Sequence, residues 1–64
     1  MKIYIEKEDS IIEKNFSGAA TELLEELKIN PTTVVVIRNN ELINEKVLLN
    51  NKDDIKILSV ISGG

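Results

Sequence analysis

Polar and apolar residues alternate along Lys2-Ile3-Tyr4-Ile5-Glu6, the period of a strand with one buried face. A polar cluster, Lys7-Glu8-Asp9-Ser10, separates it from a second β-branched segment, Ile11-Ile12-Glu13-Lys14-Asn15-Phe16, and the pair predicts an N-terminal β-hairpin. The period then changes. Ala20, Leu23, Leu24 and Leu27 share one face of an α-helix, with Ser17 as its N-cap, Gly18 opening the first turn, and Glu22, Glu25 and Glu26 toward solvent. Lys28 sits in the last turn, where a cation suits the helix dipole. Asn30-Pro31 stops the helix, with Asn30 as a left-handed cap. Thr33-Val34-Val35-Val36-Ile37 is the continuous β-branched run of a central strand, turning at Asn39-Asn40 into a short return strand, Glu41 to Asn44. Val47-Leu48-Leu49 fits an irregular or single-turn segment beneath the sheet. The polar bend Asn50 to Asp54 leads to a last alternating strand, Ile55 to Val60.

The order strand, strand, helix, strand, strand, strand predicts an α+β chain of the β-grasp (ubiquitin-like) type. One helix packs across a mixed sheet of four to five strands, whose first and last strands pair in parallel at the centre. A ferredoxin-like fold would need a second helical pattern. Residues 1–60 form the domain, and 61–64 are expected as a flexible tail. Sixty-four residues leave no room for a second domain or an enclosed active site, and a domain of this size buries only about 60% of the surface its unfolded chain exposes. Cysteine and histidine are absent, so disulfides and a structural zinc site are closed as staples, and Ile, Leu and Val must build the core. Eight Lys and Arg against eleven Asp and Glu give a net charge of −3, which argues against nucleic acid and membrane and for a partner with a basic surface. No apolar run approaches a membrane span, and the chain reads as cytoplasmic and, when free, monomeric.

The last four residues, Ile61-Ser62-Gly63-Gly64, carry the candidate chemistry. Glycine has no side chain, so a Gly-Gly segment can thread a narrow channel and present the carboxylate of Gly64 to another protein's active site. Four extended residues reach on the order of 13 Å. A carboxylate is a poor electrophile and must first become an acyl phosphate, which a partner does with ATP and magnesium. The acyl-adenylate then accepts sulfur, giving a thiocarboxylate, or an amine, giving an isopeptide bond. The alternative is a terminus that merely happens to be glycine-rich.

Leu27-Lys28-Ile29-Asn30-Pro31, the strand Val34 to Ile37, Asn39-Asn40-Glu41, the turn Asn51-Lys52-Asp53 and Val60-Ile61-Ser62-Gly63-Gly64 occur in that order over about half the chain. In this the sequence resembles the ThiS/MoaD family of ubiquitin-like sulfur carriers. Archaeal small modifier proteins are similar too. Asn40 and Lys52 stand where the family usually has turn glycines, and Lys52 is expected to cost about 1 kcal/mol if the left-handed geometry is kept. Leu58-Ser59 replaces the family's aromatic or proline residues before the tail.

The resemblance implies a carrier or co-substrate rather than an enzyme, with no bound cofactor. An adenylating enzyme would activate Gly64. A sulfur donor such as a cysteine desulfurase or rhodanese would thiolate it, and a thiazole or molybdopterin synthase, or a tRNA-thiolating system, would take the sulfur. The alternatives are a protein modifier acting through Gly64 and a β-grasp interaction module with an inert tail.

Alternation puts Tyr4, Lys56, Leu58 and Val60 on the sheet face away from the helix. Tyr4, Leu58 and Val60, with Arg38 beside them, form a candidate docking patch next to the tail. Related carriers present this face to their activating enzyme. The pairs Asp53-Asp54 and Glu25-Glu26 read as solvated charge, since adjacent carboxylates do not converge on one point. No metal-ligand spacing is present.

Overall fold

The computed structural model describes residues 1–60. The first hairpin forms from β1 (Lys2–Ile5) and β2 (Ser10–Glu13), joined by a single 3-10 turn, Glu6–Glu8, which Asp9 closes in the left-handed region at φ 49°. β2 is shorter than the sequence predicts. Beyond Glu13 the chain leaves the sheet so that Phe16 can enter the core, and the Phe16 N–H, no longer in a ladder, donates to Asn51 Oδ1 at 3.1 Å.

Ser17 is not the helix cap. Gly18–Ala19 instead form a two-residue strand, β3, which pairs antiparallel with β6 (Leu48–Leu49), so Val47-Leu48-Leu49 is not the irregular segment expected. The helix, α1 (Ala20–Glu26), starts directly from this small sheet. Its first donors meet backbone carbonyls rather than a capping side chain: Ala20 N–H bonds Val47 O at 3.0 Å and Thr21 N–H bonds Glu45 O at 2.8 Å. Glu22 Oε1 accepts the Ala19 N–H at 3.0 Å. Gly18, at φ 149°, holds a backbone conformation that residues with side chains rarely adopt, and a Cβ there would lie 2.8 Å from Glu22 Oε1 and make that side chain shift.

The helix ends at Glu26, and its left-handed cap falls two residues earlier than Asn30. Lys28 takes the left-handed position at φ 60°, Ile29 N–H returns to Leu24 O at 2.9 Å and Lys28 N–H to Glu25 O at 3.1 Å. This is a Schellman closure. Asn30 has ordinary extended backbone and starts the next 3-10 turn, Pro31–Thr33, its Oδ1 accepting the Thr32 N–H at 2.9 Å.

β4 (Val34–Arg38) and β5 (Glu41–Ile43) form the second hairpin. Asn39 and Asn40 both have positive φ, 50° and 70°, the geometry of a type I′ turn, so Asn40 supplies the conformation for which glycine is the usual choice. Lys52 does not have positive φ, and the cost expected there is not incurred. Asn50 Oδ1 accepts the Lys52 N–H at 2.8 Å, an Asx turn that needs no glycine. The last strand is β7 (Asp54–Ser59).

The main sheet runs β2-β1-β7-β4-β5, with β1 and β7 parallel at its centre and the other pairs antiparallel. With α1 across one face it is the β-grasp arrangement. Ile3 and Ile5 of β1 and Ile55 and Ile57 of β7 point toward the helix and, with Leu23, Leu24, Val36 and Leu49, form the buried core.

Candidate functional site

The two ends of β7 do different work. At its start, Asp53 is buried, against the expectation of a solvated Asp53-Asp54 pair, because three donors converge on its carboxylate. Arg38 Nε lies 2.9 Å from Oδ2, Asn50 N–H 2.9 Å from Oδ2, and Asn39 Nδ2 3.1 Å from Oδ1. The Asn50 N–H first, then Asn39 and the Arg38 guanidinium, hold this carboxyl below its ordinary pKa despite its burial. Arg38 is thereby withdrawn from the docking patch. The register aligns it with Ile55, on the helix side of the sheet, and its side chain is committed to Asp53. Asp54, Glu25 and Glu26 are exposed as expected.

At the other end, β7 outruns β1. Their parallel pairing stops at Ile5 and Ile57, yet β7 continues to Ser59. Ser59 N–H donates to Glu6 Oε1 at 2.8 Å and Val60 N–H to Thr33 O at 2.9 Å, so the backbone is held on both sides of the strand where residues 61–64 begin. Ser62, Gly63 and Gly64 lie outside the described residues.

Tyr4 and Leu58 lie on the face away from the helix, and the alternation continues to Val60, which is 49% exposed. The sheet register adds residues that the sequence reading did not single out. Ile11, Tyr4, Lys56, Ile37 and Leu42 stand in one row across all five strands, with Leu58 beside Val35 in the next. Ile11 and Leu42, on the two edges, are the most open of its apolar residues, at 58% and 65% exposed. A run such as Val34 to Ile37 hides this division, since its apolar residues serve both faces; pairing it against the alternating Ile55 to Leu58 would have revealed it. The Tyr4 hydroxyl donates to Asp9 Oδ1 at 3.3 Å. Loss of hydration first, then the charge and hydrogen bond of Asp9 and the charge of Glu6, push its pKa up.

Among the described residues no group of three or more His, Cys, Asp or Glu side chains converges to hold a metal ion, and no helix is long and apolar enough to cross a membrane. What the described residues do offer is a largely apolar sheet face and a strand end held on both sides at Ser59 and Val60.

Comparison with known proteins bears on family and fold. Over 43 residues, 67% of this chain, the sequence is 46% identical to the sulfur carrier protein TtuB of Thermus thermophilus, and the match spans 66% of that protein's length. The fold superposes on the solution NMR structure of a thiamine biosynthesis protein from Geobacter metallireducens with a TM-score of 0.60 and 25% identity, covering all of this chain and 88% of the other. The ThiS family model matches residues 3–64, and by that match, over nearly the whole sequence and on a β-grasp fold, the chain belongs to the ThiS family.

Proposed function

We propose that this chain is a sulfur carrier that works through the carboxylate of Gly64. A partner enzyme uses ATP and magnesium to convert that carboxylate to an acyl-adenylate, releasing pyrophosphate. The persulfide of a donor such as a cysteine desulfurase or rhodanese then displaces AMP, forming an acyl disulfide, and a second thiol cleaves its S–S bond, releasing the thiocarboxylate and leaving the donor sulfur in a disulfide. The thiocarboxylate passes its sulfur to thiamine-thiazole, molybdopterin or tRNA thiolation. The chain is a co-substrate of these partners and contributes no catalytic side chain. On this reading it works in the cytoplasm. Tyr4, Leu58 and Val60 dock the adenylating enzyme, with Ile37 and Leu42 extending the same face.

The observation that carries the reading is the family match, which runs through Gly63-Gly64. The braced Ser59 and Val60 support it, because a fixed exit gives the docked domain a defined direction in which to present its chain end. Intact-mass measurement after incubation with ATP, magnesium, an adenylating enzyme and a sulfur source tests it. The expected product carries one sulfur in place of one oxygen, localised to Gly64. Failure of Gly64 to be adenylated rejects the reading, and conjugates of higher mass that vanish on deleting Gly63-Gly64 would assign the chain to protein modification instead.

A further inference from the structure

A strand that outlasts its neighbour exposes a donor that the ladder no longer satisfies. β1 ends at Ile5, opposite Ile57, and the chain turns away through Glu6–Glu8, so the Ser59 N–H faces the side from which β1 has departed. The Glu6 carboxylate fills that place, accepting the Ser59 N–H at 2.8 Å. The turn itself is closed. Asp9 N–H bonds Glu6 O at 3.0 Å, and Asp9 in turn accepts the Tyr4 hydroxyl, so Glu6 is presented from a defined backbone. A hydrogen bond from a backbone amide to a carboxylate is shorter and stronger than its neutral counterpart. On the opposite side of β7, Thr33 O holds Val60, and the two bonds together fix the last described residues.

We infer that Glu6 is a positioning residue for carboxylate activation: its side chain substitutes for the missing continuation of β1 and sets the direction in which the chain leaves Val60. The inference rests on the carrier reading above and adds a residue to it. Glu6 is exposed and outside the core, so replacing it leaves the fold standing. Its Oε1 is bonded between Leu58 and Val60 and its charge reaches Tyr4, so it borders the docking face, and rescue by Glu6→Gln separates the hold on Ser59 from contact with the partner.

The test has two arms. In the isolated, 15N-labelled chain, amide hydrogen exchange at Ser59 should accelerate about tenfold or more in Glu6→Ala, with Ile57 and the melting temperature unchanged, and should return toward wild type in Glu6→Gln, whose side-chain oxygen still accepts. With ATP, magnesium and the adenylating enzyme, pyrophosphate release should show kcat lowered roughly 3- to 10-fold in Glu6→Ala, KM for the carrier within about twofold, and rescue by Glu6→Gln. An unchanged Ser59 amide, an unchanged kcat, or a Gln variant as impaired as Ala overturns the inference alone, provided the wild-type chain is adenylated. A wild-type chain that is never adenylated overturns the carrier reading and the inference with it.

Discussion

Asp53 shows how one side chain can tie three segments together. Its carboxylate joins the end of β4 through Arg38, the type I′ turn through Asn39, and the bend before β7 through Asn50. Asn39 completes the link by accepting the Asp54 N–H at 2.9 Å. Replacing Asp53 by Asn leaves the buried donors partly unmatched and should lower stability at neutral pH by about 1–3 kcal/mol, read from urea unfolding midpoints. The pH dependence has a definite sign. The folded-state pKa lies below that of the unfolded chain, so the stabilisation is complete above about pH 3.9 and is lost as pH falls through the folded-state pKa. The gap between wild type and Asp53→Asn should therefore narrow in acid; a gap independent of pH would show that the charge is not what Asp53 contributes. None of this was legible in the sequence, where Asn50-Asn51-Lys52-Asp53-Asp54 looks uniformly solvated. Burial of Asp53, the fourth residue of that bend, depends on where Arg38 and Asn39 arrive from 15 and 14 residues away.

At the scale of elements, hydrophobic period located every long segment, because alternation and helical spacing follow directly from which face is buried. What it could not locate were elements held by backbone alone. β3 and β6 are two residues each, too short for any period, and their pairing displaced Ser17 from the helix start, where the carbonyls of Val47 and Glu45, just before β6, stand in place of a hydroxyl. The left-handed positions were misplaced for a similar reason, since Asn30 and Lys52 resemble turn residues whereas Lys28 resembles a helix terminus. The structure reverses the expected cost. Lys28→Gly should stabilise the domain by about 1 kcal/mol, because at Lys28, and not at Lys52, a Cβ opposes the backbone. Lys52→Gly should instead destabilise it by roughly 0.5 kcal/mol through the added freedom of the unfolded chain. Paired urea titrations of the two variants check the opposition of sign.

For the whole molecule, the proposed docking role predicts an asymmetry between surfaces. Leu58→Glu, on the open sheet face, should raise the KM for the adenylating enzyme about tenfold or more while thermal unfolding moves little. Leu48→Glu, equally drastic but on the small sheet where the side chain is 71% exposed, should leave KM unchanged. Equal effects from the two would count against a directed interface. The parallel centre of the sheet carries a further consequence. Ile3 meets Ile55 and Ile5 meets Ile57, so the first strand cannot find its central partner until the chain has been made through β7. Contacts so distant in sequence form late and together. During synthesis the helix and the first hairpin emerge with no completed sheet to cover, and the outer row from Ile11 to Leu42 exists only once β7 has joined its two halves. An enzyme docking on this row, as proposed, would therefore meet it only on a chain whose β7 is already in place.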